Sequence, residues 1–403
     1  MVVVAKTGRG ALCTMKHQIV VCGAGIVGLS TALALARRQQ RVAVLAPRTQ
    51  VAPAEPDVYH PRVYAISPAS QRFLAGLGIW DAMPASRLTP VMAMEIHGDA
   101  DGRVELNAWQ AAQNQLAWIV ESGEIERVLV QAARMFGIPW IEERALAWHD
   151  GEIETESGQR LAAELFVGAD GAASPLRAAA GLKHESKSYG DIGLVMHLNA
   201  EQPHLGTAFQ WFRDDGVLAL LPLPDTREGA QVSMVWSMRE ERARQLLDMP
   251  ATEQAAELEK RLFLASEGRL GRLDARSRLH GFPLTLERSQ MVAPGIALAG
   301  DAAHRLHPLA GQGLNLGLGD VEALAHAVAT REPYREAGDI RVLRRYQRAR
   351  AEPVLAMRLA TDGLHRLFAA HNAPAAFVRN AGMRLVDALP FLKRRLIEDA
   401  SRN

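Results

Sequence analysis

Cysteine is scarce here, with two in 403 residues, so no disulfide framework can be built. Cys22 falls inside a buried apolar run and reads as a core thiol. Long apolar runs are missing too, and none approaches the ~18 residues of a membrane span. Net charge is close to nil at +1, which gives no general attraction to nucleic acid. The first fourteen residues, MVVVAKTGRGALCT, have too short an apolar core for a secretory signal. A start at Met15 would put the first strand at the usual distance from a terminus, so residues 1–14 read as a disordered extension. What remains is 48% hydrophobic and 23% charged, the balance of a globular protein with room for about two or three domains.

The chain is organised around Gln18–Leu45, QIVVCGAGIVGLSTALALARRQQRVAVL. A short apolar strand ends in Gly23, Gly25 and Gly28, spaced G-x-G-x-x-G. The first glycine makes a tight turn, the second admits a pyrophosphate to the backbone, and the third lets the helix pack on the sheet. The helix amides then face the phosphates with about half a positive charge. Inside a strand–helix–strand unit of this length, the pattern predicts dinucleotide binding. It lacks one part: an acid normally closes the second strand and takes the adenosine ribose hydroxyls. Here that place reads Leu45-Ala46-Pro47-Arg48. Glu55 or Asp57 is left to reach back from the next loop, and Arg48 suggests a 2′-phosphate, a reading the downstream motifs oppose.

Arg62-Val63-Tyr64-Ala65-Ile66-Ser67 precedes a helix expected over 68–77. Arg62 reads as a phosphate or ribose contact, or as a solvated arginine. An amphipathic helix is expected over 123–136, where Arg127 faces either the cofactor or solvent. Asp150-Gly151 signals a hairpin. A second motif, Gly168-Ala169-Asp170-Gly171, ends a buried strand, and Ser174-Pro175 starts a helix as cap and first turn. Residues 187–285 alternate and read as an antiparallel sheet covered on one face, with Asp214-Asp215-Gly216 as a turn and a helical insert at 249–267. The third motif is Gly300-Asp301-Ala302-Ala303-His304, then Pro308 and Gly311-Gln312-Gly313-Leu314-Asn315-Leu316-Gly317. Asp301 can accept hydrogen bonds from a sugar-alcohol chain. The glycines let backbone lie against a flat ring, and the helix that follows would face the ring edge where negative charge collects. His304 alone reads as a structural loop residue. Between Arg341 and Arg395 there are twelve Lys/Arg against three Asp/Glu. That tail is a solvated packing helix or an attachment to a partner or an anionic membrane.

The three motifs in this order resemble the group A flavin-dependent aromatic hydroxylases. More narrowly, the chain is similar to the ubiquinone-biosynthesis hydroxylase family, on Arg62–Ser67, Leu218–Leu223, Val235-Trp236-Ser237, His307–Gly317 and Leu343-x-x-Tyr346-x-x-x-Arg350. The resemblance covers nearly everything from Met15 onward. It implies an α/β fold: a Rossmann-like, three-layer FAD-binding domain, an antiparallel-sheet substrate domain and C-terminal helices. The expected parts are 15–90, 116–186 and 286–335 for FAD, 91–115 and 187–285 for substrate, and 336–403 for the helical end. It implies bound FAD, a transient NAD(P)H or other reductant, and O2 as co-substrate. Gly25, Gly28 and Arg62 would serve the ADP half. Asp170 would lie near the pyrophosphate, Asp301 on the ribityl chain, and Gly313–Leu316 on the ring. Gly23, Ile26, Val27, Gly300, Pro308, Gly311, Gln312, Leu314 and Asn315 complete the candidate set, and no metal is expected. Ala46 departs from the family pattern.

The implied reaction is hydroxylation of a polyprenylated phenol or quinone precursor through a flavin C4a-hydroperoxide. The cofactor carries this chemistry, so no catalytic triad is expected, and a dry pocket protects it. The implied partners are the prenylated aromatic substrate, with other quinone-biosynthesis proteins or the membrane surface at the C-terminal helices, and the implied location is cytoplasmic, peripheral to the membrane. The alternatives are a hydroxylase of a small soluble aromatic, a flavin halogenase or prenyl reductase, and a flavin-fold carrier of a prenylated ligand. No W-x-W-x-I-P is present, against the halogenase.

Overall fold

The computed structural model describes residues 15–48, 55, 57–98, 102–149, 151–213, 216–306, 312–369, 383 and 386–402. The 1–14 extension, Asp150, Asp214, Asp215, His307, Pro308 and Gly311 lie outside the described residues.

The apolar run of the first motif forms the strand Met15–Cys22, longer at its start than Ile19–Cys22. It lies between Arg160–Gly168 and Val42–Leu45, parallel to both. Ile296–Leu298 and Trp140–Ile141 extend the parallel sheet on either side. Strands buried on both faces need apolar residues at every position, and Val42–Leu45 is buried throughout. One face carries the helices Ile26–Arg37, Ser122–Met135 and Gly313–Ala329, which share a core with Val21, Val44 and Val167. The other face is covered by the hairpin Ala145–His149 and Glu152–Thr155. There Trp148 meets Phe166 edge-on, ring centroids 5.3 Å apart. This is the expected three-layer arrangement.

A second sheet of nine strands runs in the order His304–Arg305, His280–Ser289, His184–Ala200, Gly229–Arg239, Gly216–Thr226, Thr207–Arg213, Ala93–His97, Arg103–Asn107, with Leu273–Ala275 on the third. It is not antiparallel throughout: Thr207–Arg213 pairs parallel with Ala93–His97. The sequence between those two strands crosses to other sheets, so no hairpin could join them. Alternation sends Leu194, Met196 and Leu198 to one face with Met234 and Trp236, under Leu246, Leu258 and Leu262. The helical insert expected over 249–267 is the helix Ala251–Ala265, and a second helix, Glu240–Leu247, precedes it. Pro250 sits between them and favours extended backbone before it. A small third sheet, Val63–Ile66, Ala117–Glu121 and Leu88–Val91, lies between the two large ones.

His197, in the second sheet, is buried, and its Nε2 lies 2.7 Å from the His60 carbonyl oxygen. Burial lowers the pKa of His197, and likewise of His97 and His204. These rings are neutral in the fold but take up a proton more readily when unfolded. Their stabilisation is therefore complete above about pH 6.5 and lost as pH falls toward the folded values. Tm is expected to fall between pH 7 and pH 5, less steeply in His197→Gln, as a set of thermal melts will show.

Candidate cofactor site

All three motifs end at one edge of the parallel sheet. The register pairs Cys22 with Gly168, and Gly168 with Leu298. Backbone bonds carry this past the strand ends: Ala169 N donates to Cys22 O at 2.8 Å, and Ala299 N to Gly168 O at 2.9 Å. Gly23, Asp170 and the Gly300–Asp301 turn are thus brought side by side, above the start of helix Ile26–Arg37.

The fingerprint glycines serve different ends. Gly23 has φ +112, and a Cβ there would lie 2.3 Å from Ala169 O. At Gly28 a Cβ would lie 2.1 Å from Gly23 O. At Gly25 it would meet nothing within 4 Å. The first two are demanded by the protein; the third leaves open space before the helix amides. Val27 fills the gap between Gly300 and Gly317, where added Cβ atoms would come within 3.0 and 2.9 Å of its side chain. The side chains of Ile26 and Leu314 belong to the core and that of Leu316 is buried, so these three offer backbone alone to a ligand.

Asp170 accepts from Leu176 N through Oδ2 at 3.0 Å, while its Oδ1 is buried without a partner. Burial raises its pKa, against its bonds to Ser174 and Leu176. Burial, with the Asp170 charge, also pushes the Cys22 thiol up, as befits a core thiol. Arg177 ties the second motif to the third, donating to Ala172 O and Ala302 O at 2.5 and 3.0 Å. Arg62 lies with its guanidinium carbon 4.8 Å from the Tyr64 ring centroid. Burial lifts the Tyr64 phenol to about 12, with the charges of Arg62 and Asp301 acting on it in opposite senses. This phenol stays protonated at neutral pH and can donate as well as accept a hydrogen bond. Asn315 joins the third motif to the Arg62 strand: its Nδ2 donates to Ala65 O at 2.8 Å and to Gln312 Oε1 at 2.9 Å, and its Oδ1 accepts from Ser67 N at 3.0 Å. Gly313 opens the helix with nothing within 4 Å of an added Cβ.

At the adenosine end the expected reach-back does not occur through Asp57. Its carboxylate is turned to Arg227, 3.7 Å away, and its carbonyl accepts from Arg276. Arg48 pairs instead with Glu142 at 3.3 Å, both half exposed. Arg127 is held by Glu124 at 2.8 Å. His304 is buried and bonded to Asp320 at 2.7 Å, as a structural residue would be. Asp320 escapes the sequence reading because Gly300, His304 and Arg350 lie 16 to 30 residues away, and Arg177 because it reaches Ala302 across 125.

Open space at Gly25 and Gly313 admits a ligand close to the backbone, and the unpartnered Asp170 Oδ1 can accept from it, which suits FAD. A family model described as "FAD binding domain" matches residues 16–359. The chain belongs to this family. The chain is 35% identical to the 3-demethoxyubiquinol 3-hydroxylase of Escherichia coli over 95% of its own length and 98% of the relative's. It is 33% identical to the ubiquinone hydroxylase UbiL of Rhodospirillum rubrum, covering 95% and 89%. Among solved structures it is similar to p-nitrophenol 4-monooxygenase PnpA of Pseudomonas putida, with TM-score 0.74 and 19% identity over 97% of this chain and 99% of that one. This last likeness concerns the fold. The hydroxylase is an FAD-dependent aromatic-ring monooxygenase of the ubiquinone-biosynthesis group.

Proposed function

We propose that this hydroxylase adds oxygen to the aromatic ring of a polyprenylated phenol or early quinone precursor. The observation that carries this reading is the convergence of the three motif ends at one sheet edge, with an apolar cluster joining the second sheet to the strand after Arg62. Ala208, Leu221 and Leu223 of the second sheet pack with Val63, Ala65, Val91 and Ile119 beside the motif-bearing strand.

FAD, when bound, supplies electron acceptance from NAD(P)H and the activation of O2. The chain's own residues bind and orient. Arg62 and the amides after Gly25 balance phosphate charge. Asp301 accepts from the ribityl hydroxyls. Asp170 offers its unpartnered Oδ1, and the segment Gln312–Leu316 presents backbone to the ring. Tyr64 keeps its proton at neutral pH. Pro308 and Gly311 belong to the same proposal by their place in the motif. Ala46 leaves the ribose of the adenosine without its usual carboxylate, so this end is held less firmly.

No helix among the described residues is long and apolar enough to cross a membrane. Helix Pro390–Arg402 exposes Phe391 and Leu396 beside Arg394 and Arg395. This mix of apolar and basic residues supports peripheral contact with an anionic bilayer, from which a prenylated substrate would be drawn.

The test is NAD(P)H-dependent oxygen uptake by FAD-loaded protein with a detergent-dispersed prenylated phenol and with a soluble phenolic acid. The prenylated compound is expected to stimulate uptake at least about tenfold more. Stimulation by the soluble acid alone would contradict the proposal.

A further inference from the structure

A buried charged trio lies behind the cofactor segments. Asp320, fully buried on helix Gly313–Ala329, accepts three hydrogen bonds. Its Oδ2 takes one from Gly300 N at 3.0 Å and one from His304 Nε2 at 2.7 Å. Its Oδ1 takes one from Arg350 Nε at 2.7 Å. Arg350 comes from the long helix Ile340–Ala369 and also donates to Leu316 O at 3.0 Å. A Cβ on Gly319 would lie 2.9 Å from both guanidinium nitrogens, so this glycine makes the slot the arginine enters. One turn earlier, the buried Tyr346 donates to Leu298 O at 2.7 Å.

The partners of the trio are the peptides next to the proposed cofactor contacts. Gly300 N adjoins Asp301, and Leu316 O follows Asn315. Asp320 joins the turn to the helix, and Arg350 joins the helix start to a third element. Burial alone would raise the Asp320 pKa, but His304 and Arg350 more than offset it, so the carboxylate is held ionised. Buried ion pairs contribute little net stability compared with apolar packing of the same volume. The three hydrogen bonds to Asp320, one from a backbone amide and two from side chains, fix relative position well, and cofactor and substrate alignment is sensitive to shifts of about 0.5 Å.

We propose that Asp320 and Arg350 are positioning residues for the flavin site, and that through them helix Ile340–Ala369 is part of the cofactor clamp. The clamp rests on the placement of FAD given above.

The test uses the full chain, with Arg350→Met, Arg350→Lys and Asp320→Asn. Arg345→Met is the control, since Arg345 on the same helix pairs with Glu332 away from this trio. Three quantities are compared between each variant and wild type: apoprotein Tm, the FAD Kd by flavin fluorescence quenching, and the visible circular dichroism of bound flavin. Arg350→Met is expected to weaken FAD about tenfold, the effect of one lost charge-assisted hydrogen bond, and to change the flavin dichroism. Arg350→Lys recovers part of both, and Arg345→Met changes neither. Should Arg350→Met not fold, Asp320→Asn carries the same expectation with side-chain size kept. A Kd within about twofold of wild type and unchanged dichroism, whatever the Tm, would overturn the clamp alone. No FAD binding by wild type would overturn the site placement as well.

Discussion

Gly25→Val is expected to fold like wild type and to bind FAD at least about a hundredfold more weakly. The reason is the contrast between what the protein needs at Gly25 and what it leaves open. The residue has φ −75 and ψ −177, a conformation open to any amino acid. A Cβ there meets no atom within 4 Å. Nothing in the fold therefore asks for glycine. The phosphates approaching the amides of helix Ile26–Arg37 do, and two branched methyls would hold them off. Each charge-assisted bond lost costs about 1.5–3 kcal/mol, and two suffice for the stated loss. Thermal melts of the apoprotein and an FAD titration separate the two effects. Unchanged FAD affinity would mean that the fingerprint is not the binding edge.

Gly28→Val should do the opposite and damage the fold first. Its Cβ would lie 2.1 Å from Gly23 O and 2.8 Å from Gly23 C. No side chain can yield there, because the obstacle is the tight turn itself. That turn is already fixed from its other side, where Gly23 stands against Ala169 and Asp170 backbone. The helix must tilt away, opening the core that Leu29 and Leu33 make with Val21 and Val44. Destabilisation of about 3 kcal/mol or more follows, at the upper end for overpacking. That corresponds to a fall in Tm of about 3–4 °C or more for a chain of this length. A calorimetric scan of the apoprotein measures it. A Tm within about 2 °C of wild type would show that the helix does not pack against the turn in this way.

The parts of the fold legible in the sequence are those with a local signature. The apolar run before Gly23, the run before Gly168 and the run before Gly300 each read as a buried strand, and all three pair side by side in the parallel sheet. Ser67 and Ser174, each before a proline, cap their helices as their order suggests. What escaped depends on distant partners. Asn315 bonds to Ala65, 250 residues away, and a sequence shows only an asparagine in a helix. Asp320 looks like an ordinary charge on a helix, and Arg350, though part of the family-like Leu343-x-x-Tyr346-x-x-x-Arg350, shows no partner until the helices meet. The parallel pair of Ala93–His97 with Thr207–Arg213 has no sequence mark either, because alternation is the same in both directions. At the adenosine end, Ala46 announced a missing acid, and the turn of Asp57 toward Arg227 could only be seen in three dimensions.

The central claim is that FAD held at this edge serves ring hydroxylation. The most direct measurement is mass spectrometry of the product formed by FAD-loaded protein, NAD(P)H and a prenylated phenol under isotopically heavy O2. One heavy oxygen atom per product, attached to the ring, is the predicted result. NAD(P)H consumed with no heavy oxygen in any organic product would contradict it.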